Sequence, residues 1–331
     1  MFGILDGNEL AAVSIEYASI IKDPAAFKAC LATHGFAVVT NVLSPADVAA
    51  AEALWAEDLR NILDVAHSAD PELAAAVARD PVHTWPADVT IGWPVEHGLA
   101  QGQLAWAIRQ NANIRRCYEV LHNTTGLCVG ADSIMFSRVP PKELRRSWGH
   151  VDYHRDLITH NCYQSIVYLW DTTPESSTTV VWPGSHRTHY DAVMEANPVP
   201  RLFCLIPPDM VPAFEAAAVR VMVPKGAMIV WDSKLIHQGY NWGPRLGIPV
   251  CFEPSALRSP NVLAQKCALV ASGVSGTHWA AVFHTHSETR ARNNASRGPL
   301  QDIGPFRLLH RAHLHLLDSN GQLKPEIAAL L

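Results

Sequence analysis

Three His-x-Asp strings stand near the middle of this 331-residue chain: His150-Val151-Asp152, His154-Arg155-Asp156 and His189-Tyr190-Asp191. The chain holds 17 histidines and as many aspartates, so roughly one such string is expected by chance and the string alone decides nothing. On a strand, residues i and i+2 share a face, and a His-x-Asp there sets an imidazole beside a carboxylate. These are two of the three members of the 2-His-1-carboxylate set that holds non-haem Fe(II). On a helix the same spacing splays the two side chains apart. His189 and Asp191 follow the Gly184-Ser185-His186 turn, where a helix begins, and are set aside. Ser147–Tyr153 (SWGHVDY) reads as extended, whereas the chain from Arg155 reads as a connection. Arg155 would also place a fixed cation at the edge of a metal site. His150 and Asp152 are therefore the stronger couple, with His154 and Asp156 the rival.

A third ligand must return from a remote strand. His237 is the best candidate, at the end of GAMIVWDSKLIH, which reads as a strand, a tight turn at Asp232-Ser233 and a second strand. A satisfied structural histidine is the alternative. Eight residues later Arg245 enters the apolar run LGIPVCF. A buried guanidinium needs a partner, and its planar fork suits a carboxylate. That partner is either an internal acid or the distal carboxylate of a 2-oxo dicarboxylate bound to the metal. Other clusters have blander explanations. His310, His313 and His315 in LLHRAHLHLL fit a solvated helix face, His284 and His286 lack an acidic partner, and Lys142, Arg145 and Arg146 fit a solvated basic loop. Trp148, Trp170, Trp182 and Trp231 read as core. No nucleophile elbow, phosphate loop or dinucleotide fingerprint is present.

The elements that must position these residues change character along the chain. Residues 24–33 form a helix ended by Gly35, Phe36–Thr40 a strand, and Ser44-Pro45 opens a long helix to about Leu63. A further amphipathic helix spans 101–123, closed by Gly126. From about 132, short β-branched or aromatic runs follow one another: 132–139, 162–170, 178–182, 219–223, 227–231, 234–237 and 248–253. Helices are expected again at 261–271 and 305–316. The pattern is α+β, a double-stranded β-helix of the jelly-roll or cupin kind with flanking N- and C-terminal helices. We read a single domain over 1–331, with 1–130 as helical support, 131–256 as the barrel core and 257–331 as a C-terminal extension.

Composition narrows the partners. A formal charge of −5 argues against nucleic acid or an anionic membrane as the main partner. No apolar run approaches a membrane span. Seven cysteines without a CxxC pair, after an N-terminus without a basic leader, suggest reduced thiols in a cytoplasmic protein.

The strings GHVDYH, CYQSIVYLWD, VVWPGSH, GAMIVWDSKLIH and RLGIPVCFEP, in that order and spacing, resemble the phytanoyl-CoA dioxygenase-like Fe(II)/2-oxoglutarate oxygenases, in particular a divergent microbial and fungal branch with an HVD motif. The likeness covers roughly 130–280, with GFAVVTNVLSPADVAAAEALW resembling the family's opening. It implies His150, Asp152 and His237 on Fe(II) and Arg245 as the 2-oxoglutarate clamp. The spacing from His150 to Gln164 favours HVD over HRD, and Gln164 becomes a second co-substrate contact. Many relatives carry Ser or Thr two positions after the distal histidine. Here that position is Gly239, so the hydroxyl that assists the arginine is missing or comes from elsewhere, with Ser137 a candidate.

The implied activity is O2-dependent oxidation, above all hydroxylation, of an unactivated C–H in a small-molecule substrate, with release of succinate and CO2. A carboxylate at 152 disfavours halogenation. A zinc hydrolase or a catalytically inactive binding module on the same barrel are the alternatives. The identity of the substrate and the oligomeric state are not encoded in any of these motifs.

Overall fold

The computed structural model describes residues 2–86, 97–138, 147–241, 243–283, 302–303 and 305–331. Lys142, Arg145, Arg146, His284 and His286 lie outside the described residues. Contacts divide the chain into two units, each made of two stretches: Met1–Ser44 with Val139–Arg245, and Pro45–Arg138 with Leu246–Leu331.

The first unit begins with short elements that only weak local signals precede. Strands β1 (Gly3–Ile4) and β2 (Ser14–Glu16) flank a helix over Gly7–Val13. The helix Pro24–His34 starts where Asp23 accepts hydrogen bonds from the Ala25 and Ala26 amides. It stops at Gly35, whose φ of 83° suits a residue without Cβ. Strand β3 (Phe36–Thr40) follows, apolar and buried through Val39. Six further strands follow: β6 (His150–Val151), β7 (Tyr163–Tyr168), β8 (Thr178–Val181), β9 (Cys204–Leu205), β10 (Val219–Val221) and β11 (Met228–Asp232). To these is added β12 (His237–Tyr240).

One sheet runs β1-β10-β8-β12-β6-β9, antiparallel except for the β1–β10 pair. A second runs β2-β3-β11-β7, with β2 and β3 parallel and the rest antiparallel. Side chains of β7 reach across to the first sheet, where Tyr168 Oη lies 3.1 Å from Thr179 Oγ1. The fold is a double-stranded β-helix. One expected strand is displaced: 234–236 lie in the turn after β11, and His237 opens β12 rather than closing a strand over 234–237. Asp232 Oδ1 accepts from the Lys234 amide, and this Asx-type turn consumes the residues that would have begun the strand.

The second unit is mostly helical, with a long helix over Pro45–Ile62. Its strands are β4 (Leu127–Val129), β5 (Met135–Ser137), β13 (Arg245–Val250, which starts at the unit boundary) and β14 (Phe252–Pro254). Strand β14 pairs with β4, and β13 neighbours β5. The helix expected over 101–123 is two helices, Gln103–Arg109 and Ala112–His122. Asn111 breaks the run because its side chain caps the second helix, accepting from the Asn113 and Ile114 amides. Asn123, at φ 54°, ends it in place of Gly126. The helix Pro260–Ala271 matches expectation, with Ser259 as its cap.

The helix expected at 305–316 is absent: Phe306–Arg307 pairs with Asp302–Ile303, and Ala312–Leu316 is a 3-10 turn. His313 is buried there, not solvated. Its ring fills the space beside Gly98 and Gly273, where any Cβ would stand 2.7 and 2.4 Å from Nδ1. Among the described residues no helix is long and apolar enough to cross a membrane.

Candidate metal and co-substrate site

His150 sits on β6, Asp152 one residue past that strand, and His237 opens β12. The two histidines are direct cross-strand partners in the antiparallel β6–β12 pair. That register brings the imidazole centroids to 4.3 Å. Asp152 shares the strand face of His150, as the period of two requires. One ligand atom from each of the three residues lies within 4.8 Å of the others, and all three residues are buried. Asp152 Oδ2 is 3.6 Å from His150 Nε2 and 3.4 Å from His237 Nε2.

The two rings are oriented by the same local device. His150 Nδ1 lies 3.3 Å from the Trp148 carbonyl, and His237 Nδ1 lies 2.9 Å from the Leu235 carbonyl. A carbonyl only accepts, so each Nδ1 carries a proton and each Nε2 is the ring nitrogen turned toward the carboxylate. Burial, reinforced by the neighbouring His237 ring, holds the His150 imidazolium below its ordinary pKa range against the opposing pull of Asp152. A neutral imidazole is the ligand form. Two imidazole Nε2 atoms and one carboxylate oxygen form a set that fits Fe(II). The rival pair is not built this way. His154 Nε2 bonds the Asn197 carbonyl, and the Asp156 side chain is largely exposed.

The surroundings are aromatic. Trp148 stacks on His150 at 4.8 Å with an interplanar angle of 8°, and Phe203 lies 4.5 Å from the same ring while 43% exposed. Trp231 packs 5.0 Å from His237. The Trp148 amide donates to Gln238 Oε1 at 2.8 Å, which ties the segment before β6 to β12. Trp148 is therefore packing for a candidate ligand rather than anonymous core. Phe203 and Gln238 carry no sequence signal of their own; only the β6–β9 and β6–β12 pairings bring them in.

Arg245 opens β13 and is 9% exposed. Its Nη2 donates to Asn241 Oδ1 at 3.0 Å, and its Nε is buried with no hydrogen-bond partner. No carboxylate pairs with it among the described residues. The internal Arg–acid pair that the sequence left open is thus not what holds this side chain, and its donors fit an incoming carboxylate. A Cβ at Gly239 would lie 3.7 Å from Asn241 Oδ1 and 3.8 Å from Trp148 Cζ2, ordinary contacts. The side-chain oxygen beside the arginine is the Asn241 Oδ1 acceptor, not a hydroxyl. Ser137 is buried on β5 in the second unit. Gln164, on β7, donates from Nε2 to Asp152 Oδ2 and to Ser233 Oγ, both at 3.2 Å.

Residues 31–242 match the family model for phytanoyl-CoA dioxygenase (PhyH). The chain belongs to that family, and its function is of the dioxygenase type. No curated protein matches the sequence. Among solved structures, a hypothetical protein from Escherichia coli is similar over 81% of this chain and 77% of its own, at 12% identity and a TM-score of 0.54. GlcNAc Inducible Gene 2 of Candida albicans is similar over 79% of this chain and 71% of its own, at 11% identity and a TM-score of 0.53. These likenesses concern the fold.

Proposed function

We propose that the protein is an Fe(II)- and 2-oxoglutarate-dependent dioxygenase that hydroxylates an unactivated C–H of a small-molecule substrate. The observation that carries this reading is the convergence of two carbonyl-oriented imidazoles and one carboxylate on a common point. His150, Asp152 and His237 hold the ion, and Arg245 receives the distal carboxylate of 2-oxoglutarate. Ferrous iron with 2-oxoglutarate, when bound, supplies O2-dependent oxidation of the substrate with release of succinate and CO2. The chain's own residues do the positioning. The Trp148 and Leu235 carbonyls hold the Nδ1 protons, Asn241 fixes one arm of the Arg245 guanidinium, and Trp148 and Phe203 pack against the His150 ring. The absence of a disulfide among the seven cysteines supports a reducing cytoplasmic setting.

Anaerobic addition of Fe(II) and then 2-oxoglutarate is expected to produce the visible metal-to-ligand charge-transfer band. Asp152→Ala and His237→Ala should abolish it. A protein that binds Zn(II) and hydrolyses esters or amides without O2, and gives no such band with Fe(II), would overturn the reading.

A further inference from the structure

Gln164 resembles a co-substrate contact in sequence, yet its bonding points elsewhere. We propose that Gln164 is a positioning residue for the metal-binding carboxylate, acting with Ser233 as a two-point brace on Asp152. The proposal rests on the metal reading above and assigns a role within it.

The chemistry of the amide carries the argument. A glutamine has two N–H donors, both on Nε2. One meets Asp152 Oδ2 at 3.2 Å and the other meets Ser233 Oγ at 3.2 Å, both in buried surroundings. Ionised 2-oxoglutarate offers only acceptors, so a glutamine could hold it only through those same hydrogens. Flipping the amide would turn its oxygen against the Asp152 carboxylate, two acceptors face to face. The donors are therefore committed to the protein.

Topology makes the brace reach across the barrel. Gln164 lies on β7 opposite Trp231 of β11, in the second sheet, while Asp152 follows β6 of the first. Ser233 stands in the turn that leads from β11 toward β12, and its backbone is engaged twice: its carbonyl accepts from the Asp152 amide at 3.1 Å, and its amide donates to the Cys162 carbonyl at 3.0 Å. One turn thus holds the Asp152 backbone while the glutamine holds its side chain. Both Gln164 and Ser233 are buried, at 5% and 0% exposure. The oxygen that receives the glutamine hydrogen is the one facing both Nε2 atoms. Its direction is set before any ion arrives.

The test titrates metal-free wild type, Gln164→Leu and Ser233→Ala with Co(II), following the ligand-field absorption, and then titrates each Co(II)-loaded protein with 2-oxoglutarate. Loss of a partner of this kind typically weakens metal binding about 10–100-fold, and Gln164→Leu is expected in that range. Ser233→Ala should give a smaller loss in the same direction. The affinity of the loaded proteins for 2-oxoglutarate should not change. Unchanged Co(II) affinity with weakened 2-oxoglutarate binding would return Gln164 to the co-substrate and overturn the proposal, and so would no change in either titration. Circular dichroism of the metal-free variants checks the fold; if Gln164→Leu does not fold, Ser233→Ala decides, since it removes one hydroxyl. Failure of the underlying metal reading looks different: wild type would then show no ligand-field band, and His237→Ala would be indistinguishable from it.

Discussion

Buried charge occurs in both units, but one buried side chain of the first is used differently from the rest. In the second unit, Arg109 is 1% exposed and spends its terminal nitrogens on the Ala100 carbonyl, Gln101 Oε1 and the Asp132 carbonyl. Lys266 donates to the Trp279 carbonyl, and Glu253 accepts from the Ala280 and Ala281 amides. Asp58 accepts from the Gln103 and Leu104 amides at the start of a helix. These charges tie backbone segments together. In the first unit, Arg220 behaves likewise, bonding the Pro174, Thr173 and Ser176 carbonyls over the Tyr240 ring. Arg245 does not: one amide oxygen occupies one of its nitrogens. Nε lacks a partner in all three arginines, so an idle Nε distinguishes nothing. What separates Arg245 is the use of the terminal nitrogens. Burial alone does not single out a candidate ligand site; burial with donors left over does.

The contrast can be broken by exchanging arginines for methionine. Arg109→Met strands two carbonyls and an amide oxygen in the interior and should cost about 3–5 kcal/mol of folding stability, read from denaturant unfolding. Arg245→Met should leave unfolding of the metal-free protein unchanged or slightly more costly, because the wild-type guanidinium has no counter-charge among the described residues. Its loss should appear instead in 2-oxoglutarate affinity, by about 2–5 kcal/mol, with metal binding intact. Equal destabilisation by the two substitutions would erase the distinction.

A third effect sharpens the same comparison through pH. Burial, outweighing the two amide hydrogen bonds, lifts the Asp58 carboxyl from 3.8 to about 7. The folded protein then holds this proton more tightly than the unfolded chain does, so stability declines as pH rises between those two values and levels off above them. Asp58→Asn should flatten that decline, as measured by thermal midpoints from pH 4 to pH 8. A parallel decline in the variant would remove Asp58 as its source.

Much of the candidate site's geometry was legible because it depends on short-range spacing. The period of two on a strand pairs His150 with Asp152, and an arginine entering an apolar run announces a buried cation. The role of Gln164 was not legible in the same way. Which partner takes its amide hydrogens depends on the register of β7 against β11 and on a turn 69 residues away, neither of which leaves a local trace. The helical reading of 101–123 failed because one asparagine caps as readily as it continues a helix. The solvated reading failed for His313, which fills space beside two glycines far from it in sequence, while His310 is exposed. The strand pairs of two and three residues at the N-terminus have too little pattern to register at all.

Each candidate ligand ring is aimed by a carbonyl two residues before it on its own chain. The aim is thus a property of a tripeptide and does not wait on the distant partner strand. An arriving ion would find its nitrogens already facing it and would have no imidazole to rotate. Stripping the ion with a chelator should leave both rings where they stand, so that capture and release cost little reorganisation.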